Sequence, residues 1–515
     1  MTPVTRRAFQ TSVAASVMGA PAMGGSLFAN QRRPNVVFIL SDQHIGSFLG
    51  ASGHPLVRTP NLDRLAARGV NYRNAYCVSP LCGPSRAALM SGRFGSDVEA
   101  YCNATAYDGR SGGWTKSLRD AGYHCWATGK LAMSNEADFG LETDHVTYNH
   151  WVGPDIACLL RSPVCFLPTA RERLDASYKE QEHSDTQLFD RTLTFLRERT
   201  PALQKPWAMY LGPHAPHPNW RTKPKYRDIY PPAKMPLPDL PDGYVDRQHP
   251  FFRAAANYRN CAVPLPASRI QRTRSVYMGM ITELDAQIGR LIDHLERTGQ
   301  MDNTLFVYTS DHGEMLGEHG LWSKNVLLEY SARVPMLIAG PGLPKGKTVD
   351  TPVSHVDLTA TVLDLAGVQR SGTLRGHSLA GLARGETTTH PGFAYGESHS
   401  DGNMTGSFMI RKGEWKYIYF TADRPLLFNV KNDPGELNDL SEGPEYAEVR
   451  KELHAHLTSL VDPDAVTYRA FDEQERRLAA MVRKYSASEF YEEVVDRLGP
   501  AQSRVLTRRL YKGRA

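Results

Sequence analysis

At 515 residues, with 41% hydrophobic and 22% charged positions and a formal charge of +5, the chain has the balance of a soluble globular protein with room for one large domain and a smaller one. No stretch reaches the roughly 18 apolar residues of an integral membrane span, and no dense basic stripe interleaved with aromatics supports nucleic-acid binding. The small positive charge is compatible with an anionic substrate but does not establish one.

The N-terminus carries Thr5-Arg6-Arg7-Ala8-Phe9 and then a stretch rich in Ala, Gly, Ser and Met as far as Ala29. Residues 1–30 read as a twin-arginine export signal, with cleavage after Ala22 or Ala29, so the protein is expected to be periplasmic or secreted. From Pro34 onwards apolar runs alternate with polar loops and helical periodicity, the pattern of an α/β protein. Strands are predicted at Asn35 to Leu40, Tyr123 to Thr128, Trp207 to Leu211, Thr304 to Thr309 and Val334 to Ala339. Helices are predicted after Thr59-Pro60-Asn61, over Trp114 to Ala121, His183 to Arg199, Tyr277 to Thr298 and Asp357 to Ala366. Pro218 to Pro266, rich in Pro, Tyr and Arg, reads as a long surface insertion. Beyond a polar, Thr-rich boundary near Arg384 to Pro391, Phe408 to Arg411 and Trp415 to Phe420 read as antiparallel strands about the turn Lys412-Gly413-Glu414, and Tyr446 to Leu460 as a helix. The domains expected are residues 31–385, a catalytic α/β domain; 386–465, a small α+β unit; and 466–515, a charged helical extension.

Seven cysteines, Cys77, Cys82, Cys102, Cys125, Cys158, Cys165 and Cys261, are an odd set without C-x-x-C spacing, which argues against a zinc site. Cys82 stands apart, in Leu81 to Arg93 (L-C-G-P-S-R-A-A-L-M-S-G-R). Pro84 suits the first turn of a helix, Arg86 to Met90 continue it, and Gly92 suits the residue past its end. Cys82 is thus expected just ahead of the helix, where a thiol meets free backbone N–H groups and the positive end of the helix dipole, which favour anions and lower thiol pKa values. A buried core cysteine is the plainer reading of the same pattern. The other six could pair after export or stay as buried thiols.

In open α/β sheets ligands bind beyond the carboxyl ends of the strands. Four such ends carry suitable groups: Asp42, Lys130, His214, and the pair Asp311-His312. The matching Ser41-Asp42 and Ser310-Asp311 pairs end apolar runs 269 positions apart. With Gln43 beside them, Asp42, Asp311 and His312 offer the mostly oxygen donors of a hard divalent ion, Ca²⁺ first, with Mn²⁺ or Mg²⁺ as alternatives. Cations, a metal and a proton donor are what hydrolysis of a sulfate or phosphate ester requires.

These residues resemble a known family, the type I sulfatases of the alkaline phosphatase superfamily, choline-sulfatase-like around the metal motifs. The resemblance rests on C-G-P-S-R at Cys82 to Arg86, T-P-N-L-D-R-L-A at Thr59, T-G-K at Thr128, S-D-H-G at Ser310, G-L-W-S-K with E-Y-S-A-R-V-P over Gly320 to Pro335, and the C-terminal W-K-Y-I-Y-F and L-F-N-V-K-N-D-P-G-E-L-N-D-L. It implies an alkaline-phosphatase-like fold, a large, mixed, mostly parallel sheet sandwiched by helices with a smaller C-terminal α+β domain. It also implies that a separate maturation enzyme oxidises Cys82 to formylglycine, whose hydrate attacks the sulfur of a small-molecule or saccharide sulfate ester. By the same resemblance Asp42, Gln43, Asp311 and His312, with modified Cys82, hold the metal. Arg86 stabilises the modified residue, Lys130 and Lys324 bind sulfate oxygens, Lys324 also lying near the leaving group, and His214 protonates the leaving group. One position departs from the family. Where the pattern is G-K-x-H the chain reads Gly129-Lys130-Leu131-Ala132, so either another group, His145 or His217, supplies the function of the histidine or the protein turns over differently or slowly. The alternatives are phosphonate or phosphate diester hydrolysis, and a catalytically impaired binder of sulfated glycans.

Overall fold

The structure is a computed structural model that describes residues 33–148, 156–160, 167, 170–174, 184–369, 373–386 and 390–512. The twin-arginine segment and Cys165 lie outside the described residues. Residues Arg33–Ala515 form one compact unit.

The frame is laid down by β1 (Asn35–Ser41), α1 (Pro60–Arg68), β2 (Val70–Tyr72), α2 (Cys82–Ser91), α3 (Trp114–Asp120), β3 (His124–Lys130), β4 (Glu142–Thr147), α4 (Ser184–Thr194), β5 (Trp207–Gly212), α5 (Pro250–Tyr258), α6 (Ala267–Arg297), β6 (Thr304–Ser310), β7 (Met336–Ala339), β8 (Lys347–Val349) and α7 (His355–Leu365). The strands make one eight-stranded sheet in the order β8-β2-β7-β6-β1-β5-β3-β4. It is mixed and mostly parallel, β7 running antiparallel to both β2 and β6. Val36 to Leu40 are all essentially inaccessible, because a central parallel strand is covered by helices on both faces and so needs apolar residues without alternation. The two faces are separate cores. One contains Val37, Ile39 and the apolar stripe of α6, from Ile281 to Leu295; the other contains Val36, Phe38, Leu40 and residues of α2, α3 and α7.

After this sheet come β9 (Phe393–Ser398), β10 (Ser407–Lys412), β11 (Trp415–Phe420) and β12 (Asp423–Asn429), then α8 (Ala447–Leu460), α9 (Pro463–Lys484) and α10 (Ala487–Leu510). The four strands form an antiparallel meander, with Lys412 opposite Trp415 at the predicted turn. Buried charge ties the meander to the short helix Glu329–Ala332 ahead of β7 and to the loop that follows β12. Lys416 Nζ lies 3.0 Å from Glu329 Oε1 and 2.8 Å from Glu436 Oε1, all three side chains being buried.

Two expectations change. Pro218 to Pro266 is a surface stretch only in its middle: over residues 223–247 only Tyr230 and Met235 are buried, but on either side Trp220, Phe251, Phe252 and Tyr258 are buried, and α5 lies within it. Cys82 is the first residue of α2 rather than the residue ahead of it, while Gly92 closes the helix at a φ of 67° as expected. The thiols of Cys77, Cys82, Cys102, Cys125 and Cys261 are buried and unpaired by disulfides.

Candidate active site

The site begins with a strand register. β1 and β6 are parallel neighbours with Ser41 opposite Ser310, so Asp42 and Asp311 leave the sheet side by side. Asp311 N donates to Ser41 O at 3.1 Å, and Gln43 N donates to Asp311 Oδ1 at the same distance. The first residue of α2 arrives from the other direction, with Cys82 Sγ 3.3 Å from His312 Nε2 and 3.8 Å from Asp42 Oδ1. One donor atom from each of Asp42, Cys82, Asp311 and His312 lies within 4.8 Å of the others, and all four residues are buried.

Basic groups surround this cluster. Lys130 Nζ pairs with Asp42 Oδ2. Lys324 Nζ lies 3.4 Å from Cys82 Sγ and donates to Gln43 Oε1 at 2.6 Å. Arg86 is fully buried beneath them; its Nε donates to Asp311 Oδ2 at 2.9 Å and its Nη1 to Lys130 O at 2.6 Å and Tyr210 OH at 3.0 Å. Its Nη2 is buried with no hydrogen-bond partner among the described residues, a donor available to an anion. Burial alone would protonate Asp42, but Lys130, His217, Lys324 and Arg86 outweigh it and hold the carboxyl well below its ordinary range. Burial and Asp42 push the Cys82 thiol up, yet Lys130, Lys324 and His312 bring it below its usual value.

The two candidate histidines of the Pro-rich loop differ. Burial lowers both. The strongest charges acting on His217 are Lys324, Asp42, Lys130 and His312, all members of the site. On His214 the first is Asp185, followed by the site residues Asp42, Lys130 and Arg86; the Asp185 carboxylate also accepts the backbone amides of His214 at 2.9 Å and Ala215 at 2.8 Å. His145 has a 67% exposed side chain paired with Asp144 at 2.7 Å, so it belongs to the surface. Ala132 is buried, its amide bonded to Thr147 O at 3.0 Å.

Three participants escape a reading of the sequence alone. Glu314, fully buried, accepts Gln43 Nε2. Tyr210 holds Arg86 from within an apolar strand. Asn103 Oδ1 takes the free amide of Gly83 in the first turn of α2, at 2.8 Å. Only Glu314 left a trace in the sequence, as the acid two places after His312.

The sulfatase family model matches residues 34–368, and the model for the C-terminal part of N-sulphoglucosamine sulphohydrolase matches residues 317–462. The chain belongs to the sulfatase family. Among its relatives, arylsulfatase K of Danio rerio is 32% identical over 84% of this chain and 85% of its own length. The choline-sulfatase of Rhizobium meliloti is 31% identical over 80% and 83%. In the solved structures, the phosphonate monoester hydrolase of Agrobacterium radiobacter superposes with a TM-score of 0.71 at 25% identity, covering 83% of this chain and 95% of that one. BT4656, solved with its substrate D-glucosamine-2-N, 6-O-disulfate, superposes with a TM-score of 0.67 at 25% identity, over 86% and 99%. The sulfatase fold expected from the sequence, a mixed, mostly parallel sheet with a C-terminal antiparallel unit, is the one observed. No helix among the sulfatase's described residues is long and apolar enough to cross a membrane.

Proposed function

We propose that this sulfatase hydrolyses a sulfate monoester to an alcohol and inorganic sulfate at Cys82. The reading is carried by the convergence of Asp42, Asp311 and His312 on a buried C-x-P-S-R cysteine flanked by Lys130, Lys324 and Arg86.

The donor set fits a hard divalent ion: two carboxylates and an imidazole within 4.8 Å, with Gln43 bonded to one of those carboxylates through its backbone amide. Asp42, Asp311 and His312, with Gln43, would hold it, Ca²⁺ being the best match and Mn²⁺ or Mg²⁺ the alternatives; when bound it supplies positive charge to the sulfate oxygens. Oxidation of Cys82 to formylglycine by a maturation enzyme would supply a geminal diol as nucleophile. The remaining work falls to this chain's own side chains. Lys130 and Lys324 balance the charge of the nonbridging oxygens, and the free Nη2 of Arg86 offers a further donor beneath them. His217 Nδ1 is taken by the Pro218 carbonyl, which leaves Nε2 to exchange a proton with the ester oxygen. His217 is therefore the better candidate for the role the sequence reading gave to His214.

The test is sulfate release by the purified, matured protein from a panel of choline, aryl and saccharide sulfates, together with mass spectrometry of the peptide carrying Cys82. An unmodified thiol in active enzyme would sink the formylglycine step. Loss of activity in a chelator, with recovery on adding one divalent ion, identifies the metal. The likeness to a phosphonate monoester hydrolase supports a second reading, hydrolysis of phosphonate or phosphate diesters, which paired rates on matched sulfate and phosphorus esters separate. Export through the twin-arginine segment, and a periplasmic or secreted location, complete the proposal; fusing residues 1–30 to a reporter tests them.

A further inference from the structure

Lys324 sits in a loop whose backbone ordinary side chains avoid. Its two neighbours, Ser323 and Asn325, have φ values of 70° and 80°. Left-handed backbone at non-glycine residues persists where the surroundings impose it. Here they do so from both sides, through two buried carboxylates with no assigned part in the chemistry. On one side Glu314 accepts the amides of Ser323 at 2.5 Å and Leu316 at 2.9 Å. It also takes Gln43 Nε2, which fixes the Gln43 amide with its oxygen towards Lys324 Nζ, 2.6 Å away. On the other side Asn325 Nδ2 donates to Asp401 Oδ2 at 2.9 Å, while Asn325 N donates to Pro80 O at 3.0 Å. Asn325 O accepts Ser398 Oγ at 3.1 Å and Asn403 Nδ2 at 3.3 Å. Asp401 is itself anchored by Tyr258 OH at 3.1 Å and Cys158 Sγ at 2.8 Å.

We propose that Glu314 and Asp401 are positioning residues that act through Lys324, clamping its strained loop so that Nζ stays over Cys82 Sγ. The inference rests on the sulfatase reading and deepens it. A lysine held there can meet charge on the leaving oxygen only if it does not drift, and that charge is largest when the alcohol is a poor leaving group. Loss of the clamp therefore penalises alkyl sulfates more than activated aryl sulfates, a skew that general loosening of the fold does not produce.

The experiment uses full-length matured protein with Glu314→Gln, Asp401→Asn and, as reference, Lys324→Ala. In Glu314→Gln an amide N–H₂ is set against that of Gln43; in Asp401→Asn the charge facing Asn325 is removed. For each, kcat and KM are measured on a simple alkyl sulfate and on nitrophenyl sulfate, with metal content and a crystal structure. The expected result is a kcat loss of about 100-fold on the alkyl ester and less than about tenfold on the aryl ester, with KM and metal content near the parent's, the same skew as Lys324→Ala. The crystals should show Lys324 Nζ displaced from Gln43 Oε1. Equal losses on the two esters, or a lysine that keeps its place in both variants, overturns the clamp. If the parent releases sulfate from neither of these esters nor from the choline and saccharide sulfates the sulfatase reading fails, and the crystal structures alone decide the clamp. Should Glu314→Gln not fold, Asn325→Gly, which keeps the left-handed backbone available and deletes the bond to Asp401, has to reproduce the skew.

Discussion

Arg86 shows how a single side chain can join the parts of the site. Its Nε reaches one carboxylate and its Nη1 reaches a carbonyl of β3 and a phenol of β5, a fork that a lysine cannot reproduce. Arg86→Lys is expected to lower kcat about 100-fold, since it misplaces both Asp311 and Lys130; steady-state kinetics with a metal assay check this. At the two histidines the expectation is asymmetric: His217→Asn lowers kcat on alkyl sulfates by more than about tenfold and by more than His214→Asn. Equal effects of the two substitutions would return the role to His214. At this scale the sequence discloses the acids well. Asp42 and Asp311 each follow a Ser at the end of an apolar run, and strand ends are where α/β sheets place their chemistry. Tyr210 and Asn103 stay hidden, and Glu314 shows only by its place after His312, because their neighbours are fixed by tertiary contacts, and an acid, a tyrosine or an asparagine with no periodicity around it has many possible uses.

Among the elements, the regular ones follow from pattern. The stripe from Ile281 to Leu295 announces α6, although the helix begins at Ala267, where the polar first turns carry no periodicity, ten residues before the predicted start at Tyr277. Pro218 to Pro266 is the reverse case. Its buried residues are widely spaced aromatics such as Trp220 and Tyr258, and proline breaks whatever period they would show. Two elements join through features that a mutation can test. Lys416 on β11 is the counter-ion of both Glu329 and Glu436; Lys416→Met leaves two buried carboxylates facing each other and is expected to cost about 3–5 kcal/mol in urea unfolding. Residues after 462 lie outside both family models, yet α9 and α10 contribute Val482, Phe490 and Val494 to the cluster that holds Leu81 and Cys102, next to the start of α2. Phe490 is wholly buried, so Phe490→Ala should destabilise by about 3 kcal/mol or more.

For the molecule as a whole, the buried imidazoles set an acid limit. Burial lowers His44 and His319 to about 4, and His355 to about 3, from an unfolded value of 6.5. Below pH 6.5 the unfolded chain takes up protons that these folded sites refuse. Their contribution is therefore complete above pH 6.5 and is lost as pH falls towards 4, by about 1.4 kcal/mol per pH unit for each histidine. Thermal unfolding midpoints that stay level from pH 6.5 to 4 would contradict this.

The pairing of Ser41 with Ser310 across β1 and β6 also has a consequence for the order of events as the chain is made. The two halves of the ion's nest leave the ribosome 269 residues apart, and no fragment that stops short of β6 contains both. Capture of the proposed ion would therefore be a property of the finished sheet, acquired only when one of its longest-range strand pairs has closed, the kind of contact that forms late in folding. A stopped-flow signal from ion uptake during refolding would then time the completion of the molecule and not merely its loading.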